Sequence, residues 1–192
     1  MTLATPSHVI LTPITPADRP AYDALYEASF PAAERKDLDS LLMGAHADHY
    51  RVLVARTPDR PVAGMVITAT HEDLVMLDYL AVHPDLRGQG LGHAILPLAK
   101  TQCPDKHFFL EIEYPTEDCD NLPERIRRKH FYLSAGLAET GIRARIYGTV
   151  MELLAYPEDI SHVTLDGYAD LVKNLFPPDM RVERISLEEI RT

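Results

Sequence analysis

The stretch of this 192-residue chain richest in chemical information is Leu80-Ala81-Val82-His83-Pro84-Asp85-Leu86-Arg87-Gly88-Gln89-Gly90-Leu91-Gly92. An apolar run enters it, a helical pattern leaves it, and three glycines lie between. Glycine tolerates backbone conformations in which successive N–H groups turn toward one point. The first turn of a helix adds N–H groups that have no intrahelical acceptor, and the helix dipole favours an anion beside them. Arg87 contributes a full positive charge to the same place. The chemistry expected is main-chain capture of a diphosphate. The segment has no G-K-[ST] and so is not a P-loop. Its third glycine, Gly92, falls one residue too early for the dinucleotide fingerprint. A strand-to-helix turn without a ligand is the plain alternative.

The elements that would position this loop alternate along the chain. His8 to Leu11 reads as a first strand. Thr15 and Pro16 look like the cap and first position of a helix whose apolar stripe is Tyr22, Leu25, Tyr26 and Ser29. A second helix is expected over Ala32 to Met43. Strands follow at Tyr50 to Arg56, Val62 to Thr70 and Leu74 to Val82, the last apolar enough to be central in a sheet. A helix from about Gly90 to Gln102 carries Pro97, which should bend it. Further expectations are a strand over His107 to Tyr114, a helix over Pro123 to Ser134 stopped by Gly136, strands over Leu137 to Tyr147 and Thr149 to Ala155, and a last helix over Thr164 to Phe176.

In this setting Arg87-x-x-Gly90-x-Gly92, following Leu80-Ala81-Val82, resembles the acyl-CoA signature of the GNAT superfamily of N-acetyltransferases. Phe131-Tyr132-Leu133-Ser134-Ala135-Gly136-Leu137 is similar to that family's F-Y-x-x-x-G-F block, with Leu137 in place of the final aromatic. The resemblance implies a single α/β domain over residues 1–156, with a mixed, mostly antiparallel sheet of about seven strands, a splayed central pair and flanking helices. Residues 157–192 would be a helical extension packed on it. It also implies acetyl-CoA as co-substrate, with no metal. The backbone of Leu80 to Val82, Ala81 included, would hold the pantetheine arm, and the amides of Gly88, Gln89, Gly90, Leu91 and Gly92 its pyrophosphate. Tyr132 matches the family's general acid. The family often has Asn where Arg125 stands here, which leaves that pantetheine contact unassigned.

Acetylating an amine requires the neutral amine. With a lysine-like pKa, about one amine in 2,500 is neutral at pH 7, a deficit of roughly 4.6 kcal/mol. A carboxylate that accepts the proton offsets this. Glu111 and Glu113, two apart on one strand, share a face. Glu111 is the favoured base, directly or through a water, and Asp78 on the neighbouring strand is the other option. A solvated strand face or an acceptor-binding patch would also explain the pair. The departing thiolate needs a proton or a strong hydrogen bond, which a phenol such as Tyr132 can give. In the basic run Arg125, Arg127, Arg128 and Lys129, Arg128 lies one turn from Tyr132 and is a candidate for the coenzyme phosphates, the alternative being a solvated helix face. Glu34, between the first two helices, could attract a cationic amine.

Composition bounds these readings. Nineteen Lys+Arg against 29 Asp+Glu give a formal net charge of −10, which disfavours nucleic-acid binding. Two cysteines, Cys103 and Cys119, form no framework and suit a reducing compartment. No apolar run approaches a bilayer span, and Met1 to His8 shows no export pattern, so the expected compartment is the cytoplasm. His46 and His49 lack a third metal ligand in a matching pattern. The acceptor is expected to be a small-molecule or peptide amine, and edge pairing of the late strands could form a homodimer. The rival functions are a non-catalytic acyl-CoA-binding regulatory module and a nucleotide-binding protein of another fold.

Overall fold

The computed structural model describes residues 8–116, 119–177 and 180–185. Among the described residues eight strands form a mixed sheet in the order β1-β2-β3-β4-β5-β7-β6-β8, with β1 at Ile10–Pro13, β2 at Tyr50–Thr57, β3 at Arg60–His71, β4 at Leu74–Val82, β5 at His107–Glu113, β6 at Ala138–Ile146, β7 at Thr149–Ala155 and β8 at Glu183–Arg184. The helices are α1 at Arg19–Ser29, α2 at Leu38–Met43, α3 at Leu91–Thr101, α4 at Leu122–Ser134 and α5 at Leu165–Leu175. The eighth strand is the one sequence reasoning passed over: it is two residues long and both are exposed, so no alternating pattern announces it. Among the described residues, no helix is long and apolar enough to cross a membrane.

The chain groups into two compact units, one of Met1–Ala69 with Leu77–Pro104 and the other of Thr70–Met76 with Asp105–Thr192. In the first unit β1 pairs antiparallel with β2, and β2 with β3. The stripe read from the sequence is the buried face of α1: Tyr22, Leu25 and Tyr26 pack with Leu38 and Leu41 of α2 against Val52, Val54, Met65, Ile67, Tyr79 and Ala81. The start of α1 differs from expectation in an instructive way. Asp18 reaches back to accept the Thr15 N–H at 2.8 Å and the Thr15 hydroxyl at 2.7 Å, half of a capping box, so Thr15–Asp18 forms a turn and regular helix begins at Arg19.

The second helix is also shorter than expected. Asp37, not Ala32, begins it, accepting the Ser40 N–H at 2.9 Å. Upstream, the Tyr26 hydroxyl accepts the Lys36 N–H at 2.9 Å, which holds the chain out of a helical ladder. Lys36 is thereby displayed from a loop and not from a helix face.

In the second unit β7 pairs antiparallel with both β5 and β6, and β6 with β8. Helix α5 buries Tyr168, Leu171, Val172 and Leu175. Thr164 caps it, accepting the Gly167 N–H at 3.0 Å, as its sequence position suggests. The ring of Tyr168 meets Phe109 of β5 edge-on, with centroids 6.0 Å apart.

Candidate active site

The site is built outward from the end of β4. Beyond Val82 the chain makes a 3-10 turn at Pro84–Leu86, then runs through Arg87 to α3. Arg60 of β3 braces this turn: its guanidinium lies 2.7 Å from His83 Nε2 and donates to Asp85 at 2.9 Å. The His83 N–H donates to the Ala63 carbonyl at 2.9 Å, and the Gln89 side chain to the Asp85 carbonyl at 2.9 Å. Arg87 Nε donates to the Val82 carbonyl at 3.1 Å, which fixes the arginine stem beside the strand end.

Gly88 and Gly90 have φ of +73° and +79°, a region that side chains with a Cβ avoid. A Cβ at either would meet nothing within 4 Å, so conformation and not crowding demands glycine here. Gly90 is the N-cap of α3 and offers no side chain to its first turn. The first bond of the helix runs from the Ala94 N–H to the Gly90 carbonyl at 3.2 Å, so the amides of Leu91 and Gly92 precede the ladder and have no intrahelical acceptor. Arg87, Gly88 and Gln89 are exposed. The loop is thus an amide-lined, positively assisted turn at the protein surface, able to hold a diphosphate. The bend expected at Pro97 falls on an exposed position of α3, whose buried residues are Leu91, Ile95, Leu96 and Ala99.

Two further features carry ionisable chemistry. On β4, Asp78 pairs with the Lys36 ammonium, and burial holds its carboxyl above the ordinary carboxylate range while Lys36 pulls the other way. In the second unit, Tyr132 is half-buried on α4. Desolvation pushes its phenol up to about 12, with the Arg128 charge acting in the opposite sense.

The sequence profile of the acetyltransferase (GNAT) domain matches residues 48–136, which include the amide loop and Tyr132. That stretch is similar to the GNAT acetyltransferase domain. Solved structures agree in fold. A protein described as a GNAT-family acetyltransferase from Bacteroides thetaiotaomicron superimposes with a TM-score of 0.67 at 20% identity, covering 86% of this chain and 96% of its own. The ribosomal-protein-S18-alanine N-acetyltransferase of Escherichia coli gives 0.53 at 20% identity, covering 78% and 94%. The spermidine N-acetyltransferase of Vibrio cholerae, solved with CoA and spermine, gives 0.58 at 15% identity, covering 81% and 99%. No curated protein matches the chain at a significant level.

The structure places the remaining sequence candidates as follows. Leu80 and Val82 are half-buried and Ala81 is buried on β4. Glu111 of β5 accepts a hydrogen bond from the Tyr168 hydroxyl of α5, an attachment that nothing in the local sequence announces. Glu113 on the same face is taken by the basic run of α4: Arg125 donates to it at 2.8 Å and Arg128 at 3.2 Å. Lys129 pairs with Glu139 at 2.7 Å and with the buried Glu152 at 3.0 Å. The run is therefore first an anchor for α4, and Arg128 is its member that keeps about half of its side chain exposed (47%) while paired to Glu113. Glu34 contributes its backbone: its carbonyl accepts the Tyr79 hydroxyl at 2.5 Å, and its side chain is exposed. His46 and His49 have ring centroids 6.1 Å apart and belong to no three-ligand cluster among the described residues. Lys36, Arg60 and Tyr168 escaped sequence reasoning. Asp78, the one charge within Leu74–Val82, was the sole hint that a cation must come to meet it.

Proposed function

We propose that this protein is an acetyl-CoA-dependent N-acetyltransferase that moves the acetyl group to a primary amine by direct attack on the thioester. The observation that carries this reading is the loop from Arg87 to Gly92: two left-handed glycines, an uncapped helix start and an arginine, inside the stretch that matches the GNAT acetyltransferase profile. Amides fixed before the ligand arrives need little reorganisation to meet a diphosphate. In this reading Leu80 to Val82 hold the pantetheine arm and a backbone N–H there polarises the thioester carbonyl. Holding both substrates together supplies much of the rate.

The amine's proton goes to a carboxylate. Glu111 is already engaged by the Tyr168 hydroxyl. Asp78 is held above the usual range by burial, so it binds a proton more readily at neutral pH. That difference favours Asp78 as acceptor, with Glu111 as the second candidate. The departing thiolate is stabilised by Tyr132. A thiol of ordinary pKa is about 3.5 units more acidic than a phenol near 12, so full proton transfer from Tyr132 would run uphill by about 5 kcal/mol. Tyr132 therefore acts by donating a strong hydrogen bond to the developing thiolate, and the proton that neutralises the sulfur comes from the acylated nitrogen as it loses its positive charge.

Calorimetry with acetyl-CoA, followed by thiol release with a panel of primary amines, tests the reading. Binding together with release is expected. Binding without release on any amine turns the assignment to a non-catalytic acyl-CoA-binding module, and no heat with coenzyme A or its thioesters overturns it. Gly90→Ala forces a side chain into a left-handed conformation at a cost of about 1–2 kcal/mol. The expected result is coenzyme affinity lower by about tenfold with the fold retained, read from the same titration.

A further inference from the structure

Asp78 belongs to a larger arrangement than an ion pair. The Lys36 ammonium that pairs with it lies 5.4 Å from the centroid of the Tyr50 ring and 5.7 Å from that of Tyr79. A carboxylate and two aromatic rings around one ammonium recognise an alkylammonium ion, since the rings attract a cation through their quadrupoles once water is partly excluded. Exposure is low on both sides of the pair: 9% for the Asp78 side chain and 19% for that of Lys36. The Tyr79 ring is itself fixed. Tyr79 donates to the Glu34 carbonyl and meets Tyr26 and Phe30 edge-on, with centroids 5.1 and 4.9 Å away. All of these residues belong to the first unit.

The cation in this site comes from a loop. Lys36 stands just before the cap of α2, on a flexible four-carbon stem. Asp78 lies two residues before Leu80 on β4, so the two side chains share a face and are about 7 Å apart along the strand. Leu80 is where the pantetheine arm is placed in the proposed reaction. An ammonium held by Asp78 is therefore held near the strand segment assigned to the thioester.

We propose that Asp78, Tyr50 and Tyr79 form the subsite for the ammonium group of the acceptor, and that Lys36 occupies it in the free protein as a tethered competitor. The inference rests on the N-acetyltransferase reading for its role in turnover, and it names the acceptor class: a primary amine that is a cation at neutral pH and displaces a lysine from a carboxylate.

The test uses the full chain saturated with coenzyme A, which carries no acetyl group to transfer, and titrates spermidine as the probe by calorimetry. Lys36→Gln keeps a polar group beside Asp78 but removes the competing charge. It is expected to bind spermidine at least tenfold more tightly than the wild type, and Lys36→Gln with Asp78→Asn is expected to lose that gain. Lys36→Arg, which keeps a cation in place, is expected to stay at the wild-type affinity. Equal or weaker binding by Lys36→Gln, a gain that survives Asp78→Asn, or the same gain in Lys36→Arg overturns the proposal. Thiol release from acetyl-CoA with spermidine separates the two claims. No release from any of these proteins, with the calorimetric pattern intact, overturns the transferase reading and leaves the ammonium subsite standing. Release with one KM for spermidine in wild type and Lys36→Gln overturns the subsite and leaves the transferase.

Discussion

Tyr132→Phe is expected to lower kcat about a hundredfold while leaving acetyl-CoA affinity unchanged. The substitution removes one hydroxyl and keeps the ring, whose centroid lies 4.9 Å from that of Phe131, so packing at the end of α4 is preserved. In the proposed reaction what is lost is a donor to charge that appears on sulfur only as the C–S bond breaks. Removing a donor of that kind costs roughly 10²–10³ in rate. Because the interaction belongs to the transition state, kcat and kcat/KM should fall together with little change in KM. The phenol near 12 adds a second signature. An ordinary tyrosine would begin to lose its proton near pH 10, whereas Tyr132 remains a donor at that pH. Single-turnover thiol release measured from pH 7 to 10 should therefore show no loss of rate through ionisation of this group. A kcat for Tyr132→Phe within a factor of three of wild type would remove Tyr132 from the mechanism.

Arg56→Met is expected to destabilise the fold by about 3–5 kcal/mol, a large share of the roughly 5–15 kcal/mol typical of a domain. The Asp18 side chain is 7% exposed, and Arg56 holds it in a two-pronged contact, Nη1 to Oδ1 at 2.8 Å and Nη2 to Oδ2 at 2.7 Å. Arg56 also donates to the Thr12 hydroxyl at 2.8 Å and to the Pro61 carbonyl at 3.1 Å. Methionine fills part of the volume but strands a buried carboxylate. The pH dependence follows from the sign of the shift. Hydrogen bonds from Arg56, and then from Thr15, hold Asp18 well below the usual carboxylate range in the folded protein. The unfolded chain therefore binds the proton more tightly, and the stabilisation is complete above the ordinary carboxylate value and fades as pH falls toward the folded one. In Arg56→Met the same carboxyl is buried without its cation, its pKa rises, and acid relieves it. Urea unfolding should thus show a wider gap between the two proteins at pH 7 than at pH 4. A gap that is constant with pH would mean that lost packing, and not the charge, sets the cost.

How far the sequence reveals this protein depends on the range of each interaction. The amide loop was readable because its requirements are local: glycines at left-handed positions, an arginine and a helix start lie within six residues, Arg87 to Gly92. The stripe of α1 and the Thr164 cap were readable for the same reason. The helix expected from Ala32 failed where two local signals competed with a distant one. Asp37 caps a later start, and the Tyr26 hydroxyl ten residues upstream captures the Lys36 N–H. The ammonium site was nearly hidden, since Lys36 and Asp78 are 42 residues apart and only the isolated charge of Asp78 on an apolar strand hinted at a partner. Glu111 illustrates the same limit: its strand spacing suggested a free base, and its engagement by Tyr168 depends on a helix 57 residues away.

The hairpin joining β3 to β4 sets a rule for dissecting the polypeptide. Its tip, Thr70–Met76, groups with Asp105–Thr192 and not with the strands that lead into and out of it. His107 donates its N–H to the Asp73 carbonyl at 2.8 Å, and His71 lies 2.8 Å from Asp170 of α5. A fragment beginning near Asp105 would lack all seven of those earlier residues, and one ending there would carry them with nothing to hold. Neither half can be complete when made by itself, so genetic bisection of this protein at that boundary should yield two chains that fold only when supplied to one another.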